Sequence, residues 1–286
     1  MFLCIREGMK KVTVLLALML STAVVAEDKV QVTSTELAPH LYMIKGAGGN
    51  MAAVVGPEGA LVVDSQYEHM APQIKAELER KQAGMQIKTL VNTHFHGDHV
   101  NGNAALASGA QIIAHTNVLT RLKADAKFLA AGLPTETFVG EKTLSLNGVN
   151  LKLVTMPVSH TDGDLVVWFK DANVLHTGDL FFADRFPFID LSSGGSVTGY
   201  ISNVKLLLSQ IDDKTKLIPG HGDLMDRAGL QRFLSMMEQT LAEVSALKAA
   251  GKTEEQIVAQ GLSAQWKSWS WNFITEERWI RTLFKA

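Results

Sequence analysis

The segment Thr89–Gly102, TLVNTHFHGDHVNG, constrains this chain more than any other. An apolar run stops there, and three of the chain's nine histidines follow with an aspartate: His94, His96, Asp98 and His99. His94, His96 and Asp98 alternate, so in an extended segment their side chains would share one side. His99 is out of that phase and falls near the start of a following helix. One metal ion rarely takes four ligands from so short a run. Two neighbouring ions sharing one loop suit it better, and zinc accepts both imidazole nitrogen and carboxylate oxygen.

More residues of ligand type follow at the ends of apolar runs. PVSHTDGD carries His160, NVLHTGDLFF carries Asp179 and KLIPGHGD carries His221. Each stands where a strand runs out beside glycine, a position from which side chains can converge on one sheet edge. Singly, a Gly-Asp pair is often only a turn and a lone histidine is often structural. In this order, after the first cluster, they read as one site.

The intervening pattern is strand, turn and helix. HLYMIKG, MAAVVGPEGALVVDS, KTLVNT and AQIIAH read as strands. MAPQIKAELERKQ reads as an amphipathic helix with Ile74 and Leu78 on its apolar side. KTLSLNGVNLKLVTMP reads as a hairpin turning at Asn147-Gly148. DLVVWFK, NVLHTGD and KLIPGHG follow as strands, and the chain after Asp226 is helical. There Thr253 is the expected N-cap of one helix, with Gln256 closing a capping box. Strands mixed with helices throughout imply an α/β layered domain. No linker rich in proline, glycine or serine divides it, so residues 27–286 read as one domain with a helical extension from about 226 to 286.

The N-terminus reads differently. MKKVTVLLALMLSTAVVA has two lysines, an apolar run and small residues ending at Ala26, the pattern of a secretory signal. The apolar run is short for a membrane span. Residues 1–26 are therefore expected to be removed on export to the periplasm, leaving no stable membrane association. Met9 is an alternative start. The only cysteine, Cys4, would leave with that segment, so neither a disulfide nor a cysteine ligand is expected. Losing Arg6, Glu7, Lys10 and Lys11 takes the formal net charge from −2 to −4. No basic patch stands out, which argues against a nucleic-acid partner and for a small-molecule substrate. The sequence does not set the oligomeric state.

With HFHGDH, His160, Asp179 and His221 in this order, the chain resembles the metallo-β-lactamase-fold superfamily of metallohydrolases over Lys29 to about His221. The resemblance implies an αβ/βα four-layer sandwich of two mixed β-sheets flanked by helices. It also implies two zinc ions per chain, one held by His94, His96 and His160, the other by Asp98, His99 and His221, with Asp179 between them. Asp64, in LVVDS, matches an acidic residue beneath the site. The implied chemistry is hydrolysis of an ester, lactone, thioester or amide by a metal-bridging hydroxide, with Asp98 or a metal-bound water as the proton carrier. Many β-lactamases of this fold have cysteine or serine where Asp179 stands, whereas an aspartate there resembles glyoxalase II and the broader hydrolases. A divergent periplasmic β-lactamase and an iron-dependent sulfur dioxygenase of the same fold remain the alternatives. A non-enzymatic metal-binding role fits seven convergent ligands less well.

Substrate contacts are expected from loops. The glycine-rich Lys45–Met51 suggests a flexible lip, Phe182, Phe186 and Phe188 an apolar wall, and Arg185 a partner for a carboxylate. The aromatic run WKSWSWNF is expected to pack helices. His40, His69, His115 and His176 are expected to be structural.

Overall fold

The computed structural model describes residues 30–286. The segment read as an export signal, with Cys4 and Met9, lies outside the described residues. Seven strands form the first sheet in chain order: β1 (Thr33–Ala38), β2 (Leu41–Lys45), β3 (Met51–Gly56), β4 (Gly59–Val63), β5 (Ile87–Val91), β6 (Gln111–His115) and β7 (Glu136–Phe138). The pairings are antiparallel from β1 to β4 and parallel from β4 to β7.

The second sheet contains β8 (Glu141–Leu146), β9 (Val149–Thr155), β10 (Leu165–Phe169), β11 (Val174–Phe182) and β12 (Lys216–His221), in the order β12-β11-β10-β9-β8. Its pairings are antiparallel except β11 with β12. Asn147 and Gly148 both have positive φ at the β8–β9 turn, as a two-residue primed turn requires.

Side-chain alternation shows why the strands read as unbroken apolar runs. Leu41, Met43, Ala52, Val54, Leu61 and Val63 meet Leu151, Leu153, Leu165, Val167 and Ile218 of the other sheet. The intervening Ile44, Met51, Ala53, Val55, Ala60 and Val62 face outward onto Ile74 and Leu78 of helix α1 (Ala71–Lys81). Both faces are covered, so neither can be polar. Two single-turn helices follow β5, α2 (Gly97–Val100) and α3 (Asn103–Leu106); α4 (Thr116–Ala124) follows β6.

The outer face of the second sheet is covered by α5 (Val197–Gln210), α6 (Arg227–Ala249), α7 (Glu254–Gln260) and α8 (Glu276–Phe284). This gives four layers, helix–sheet–sheet–helix, with two mixed sheets at the centre. Thr253 and Gln256 close the capping box of α7. Trp279 of α8 is fully buried and donates Nε1–H to Thr240 Oγ1 of α6 at 3.0 Å. Among the described residues no helix is long and apolar enough to cross a membrane.

Candidate metal centre

β5 ends at Val91, and the chain leaves the sheet through Asn92 and Thr93 to His94 and His96. Period-two alternation placed Asp98 beside those histidines. The structure corrects this, because Asp98 already lies in the first turn of α2 and joins His99. His160 comes from the loop between β9 and β10, Asp179 from within β11, where its register on β12 shifts, and His221 from the end of β12. Two clusters result. In one, ligand-type atoms of His94, His96, His160 and Asp179 lie within 4.8 Å of one another; in the other, those of Asp98, His99 and His221 do.

Asp179 joins the clusters through its two oxygens. Oδ2 lies 3.4 Å from His160 Nε2 and 3.7 Å from His94 Nε2. Oδ1 lies 3.1 Å from His99 Nε2 and 3.5 Å from His221 Nε2. Asp98 Oδ2 stands 3.2 Å from His221 Nε2 and 3.6 Å from His99 Nε2.

Partners behind the rings decide which nitrogen faces inward. His160 donates Nδ1–H to Phe188 O (2.8 Å), His94 donates Nδ1–H to Thr93 Oγ1 (3.0 Å) and His99 donates Nδ1–H to Asp64 Oδ2 (2.7 Å). Each therefore offers Nε2 to the site. His96 is reversed: its Nε2–H is held by Asp190 Oδ2 at 3.1 Å, which turns Nδ1 inward, 2.9 Å from His160 Nε2. Such outer partners fix ring orientation and raise ligand basicity. Asp64 also accepts from Thr93 N and Thr93 Oγ1, each at 2.8 Å, and holds a left-handed backbone (φ 65°) to do so.

Electrostatics follow from burial among opposed charges. Burial lowers His94 and takes His160 down to about 3. For His99 and His221 burial also lowers, but the carboxylates outweigh it: Asp179, Asp98 and Asp64 raise His99 well above its ordinary value, and Asp179 and Asp98 bring His221 up to about 9. Burial would raise Asp98, yet the charge of His99 and the hydrogen bond with His221 hold it at about 2. Asp179 is likewise held well below the carboxylate range, chiefly by His99.

The donor set fits metal ions. His94 Nε2, His99 Nε2 and Asp179 Oδ1 are buried without a hydrogen-bond partner, which is costly for polar atoms that nothing else binds. Five imidazoles and two carboxylates are the ligand types zinc takes. The surrounding backbone is packed to the limit. A Cβ on Gly49 would lie 2.1 Å from His99 Cε1, and one on Gly220 would lie 1.9 Å from Asp179 Oδ1. The Lys45–Met51 loop, expected as a flexible lip, is anchored instead. Gly49 N donates to Asp98 O (3.0 Å) and Asn50 N to Gly220 O (2.7 Å), while Asn50 Nδ2 donates to Pro219 O (2.8 Å).

A cavity of about 400 Å³ opens above the cluster, and Asp98, Asp179, His96 and His221 form its floor. Its walls are Ala47, Tyr67, Phe182, Phe188, Trp271 and Phe273. Phe182 and Phe188 stand where an apolar wall was expected. Phe186 does not: it is fully buried and stacks on Trp279 at 5.9 Å, so it belongs to the core. Arg185 does not line the cavity either. Its guanidinium lies against the Trp271 ring at 5.1 Å and Nε donates to Ala183 O. The aromatic tail run divides: Trp266 and Trp269 are buried in the helical core, as expected for packing, but Trp271 and Phe273 form a cavity wall.

The remaining histidines have other partners. His40 Nδ1–H is held by Val55 O (2.9 Å), His69 stacks on Tyr67, and His115 caps α4 through Asn117 N. His176 donates Nε2–H to Asn50 O (3.1 Å) and accepts from Gly178 N (3.1 Å). Sequence reasoning missed Asp190, and also Tyr200, whose hydroxyl donates to the Asp179 carbonyl. Neither residue carries a local motif.

The sequence profile of the Metallo-beta-lactamase superfamily matches residues 44–221, more than half of the chain. The chain therefore belongs to that superfamily. It is 24% identical over 229 residues to a metallo-beta-lactamase type 2 of Bacteroides fragilis, covering 75% of this chain and 90% of that protein. It is 23% identical over 219 residues to a hydroxyacylglutathione hydrolase of Rhodospirillum rubrum, covering 74% and 75%. Among solved structures, the DIM-1 metallo-beta-lactamase superposes with a TM-score of 0.62 at 21% identity, over 73% of this chain and 99% of that one. A double mutant of the sec-alkyl sulfatase PisA1 superposes at 0.70 with 16% identity, over 89% of this chain and 50% of that one. The relatives are hydrolases, and the His/Asp cluster is a metal site of the kind that metal-dependent hydrolysis requires.

Proposed function

We propose that this chain is a dinuclear zinc hydrolase of a small ester, lactone or thioester, exported to the periplasm. One observation carries the reading: the two oxygens of Asp179 face two separate histidine clusters. His94, His96 and His160 would hold one ion; Asp98, His99 and His221 would hold the other, with Asp179 shared. Bound there, zinc supplies the Lewis acidity that activates water and polarises a scissile acyl bond.

The protein's own groups do the rest. Asp64 and Asp190 hold His99 and His96 in the tautomers the site needs. Asp98 reaches the cavity floor and turns Oδ2 toward His99 and His221. As a carboxylate at the cavity floor, Asp98 would carry a proton from water to the leaving group. The aromatic walls keep bulk water from the far end of the substrate.

Asp179 adds a buried negative charge beside the reacting centre, which weakens the Lewis acidity available. Amide nitrogen is a poor leaving group and needs more of that assistance than an ester or thioester oxygen or sulfur. In a panel of ester, lactone, thioester, penicillin, cephalosporin and carbapenem on zinc-loaded protein, the oxygen and sulfur esters should lead in kcat/KM. The margin over β-lactams should be roughly 10–1,000-fold, or about 1.4–4 kcal/mol in the barrier. A carbapenem or cephalosporin as best substrate would make the chain a divergent β-lactamase instead. Cell fractionation tests the export: the protein should lack residues 1–26 and appear with periplasmic markers.

A further inference from the structure

The cavity is an aromatic trough, and two of its wall residues come from chain beyond the superfamily match. Trp271 and Phe273 lie after residue 221, where that match ends. Trp271 is fixed in place: its Nε1 donates to Phe186 O at 2.9 Å and its backbone N to Ile274 O. Its ring centre is 6.0 Å from that of His221 and 6.2 Å from that of Phe182. Phe273 continues the surface, 5.6 Å from Trp271 and 5.5 Å from Phe188. The wall thus runs from the metal centre to the cavity mouth, where Phe273 is 48% exposed.

Charge is arranged the other way. Among the described residues that line the cavity, none is a lysine or arginine. The nearby cations are engaged outside the lining. Arg185 lies against Trp271, Lys45 is paired with Asp223, and Arg278 lies behind the wall, over Phe273 at 4.4 Å and Phe188 at 5.1 Å, while donating to Phe273 O. Within this lining a distal carboxylate would lose its hydration without gaining a cationic partner, whereas an alkyl or aryl group would gain apolar contact.

We propose that the C-terminal segment Trp271–Phe273, with Phe182 and Phe188, is an acyl-binding wall that selects neutral substrates with an alkyl or aryl acyl group and rejects those with a distal carboxylate. This inference rests on the hydrolase reading, and it names the substrate class of that site.

Two readouts test it on the zinc-loaded protein. The first is binding without turnover: tryptophan fluorescence titrated with acetamide, hexanamide and adipamate, the last a six-carbon amide ending in carboxylate. The second is kcat/KM for p-nitrophenyl acetate, butyrate and hexanoate. Affinity and kcat/KM should rise about fourfold per added methylene, equivalent to ~0.8 kcal/mol each. Adipamate should bind at least about tenfold more weakly than hexanamide. Phe273→Ala, at an exposed position that leaves the core intact, should flatten the chain-length dependence. Phe273→Arg should bring adipamate to at least the affinity of hexanamide. Equal binding of acetamide and hexanamide, or a preference of the unmutated protein for adipamate, overturns the proposal. Binding in the expected order with no ester, lactone or thioester hydrolysed would uphold the wall and overturn the hydrolase reading.

Discussion

His99 donates Nδ1–H to Asp64 Oδ2 at 2.7 Å, and neither side chain is reached by solvent. The same carboxylate accepts from the backbone and hydroxyl of Thr93, whose hydroxyl oxygen in turn holds His94. Asp64 thus orients one ligand-type ring directly and a second through Thr93. In Asp64→Asn one terminal atom becomes an NH2 group facing a donor. Zinc affinity at the Asp98–His99–His221 cluster should fall about 10–100-fold. The metal-free protein should lose about 1–3 kcal/mol from the unsatisfied buried donor. Chelator competition and thermal unfolding of the metal-free protein check the two effects separately.

Zinc loading should release protons. In the metal-free site His99 is raised well above its ordinary value and His221 to about 9, so both carry a proton at pH 7. His94 and His160 are lowered and are already neutral. Metal ions bind neutral imidazole, so His99 and His221 must give up their protons. Calorimetry in buffers of different ionisation enthalpy should find about two protons released per chain at pH 7 from these rings, and up to about one more from zinc-bound water. The number should shrink as pH rises through about 9, where His221 is deprotonated beforehand. Uptake of protons, or a release independent of pH, would contradict the charge arrangement.

Gly220→Ala should separate site geometry from folding. The added Cβ would lie 1.9 Å from Asp179 Oδ1 and 2.8 Å from the Gly178 carbonyl carbon. The backbone contact prevents relief by a side-chain rotation alone, so Asp179 must move away from His99 and His221. Hydrolysis should drop by at least about a hundredfold, with zinc content reduced. Circular dichroism should retain the native helix and strand signal.

The metal-type residues were legible because strong chemistry and short spacing coincide. HFHGDH leaves few structural explanations, and His160 and His221 follow apolar runs with glycine close by, whereas Asp179, expected at a strand end, lies inside β11. The layered α/β fold was legible for a similar reason: central strands such as β3, β4, β10 and β11 are buried on both faces, and the helices carry caps such as Thr253. What failed depends on distance in sequence. Phe186 and Phe188 look equivalent as neighbours in one loop, yet one stacks on Trp279 and the other faces the cavity. Only the packing of α8 decides between them. Trp271 and Phe273 share a run with Trp266 and Trp269, and the turn before α8 sends the two pairs to different surfaces. Asp190 carries no motif, because its role exists only once the loop after β11 folds back onto His96.

Native mass spectrometry of the zinc-loaded protein, taken from substoichiometric to excess metal, tests the two-ion centre most directly. Asp179 offers one oxygen to each cluster, so the account predicts saturation at two zinc ions per chain, with His160→Ala and His221→Ala each retaining one. Saturation of the unmutated, active protein at a single ion would contradict it.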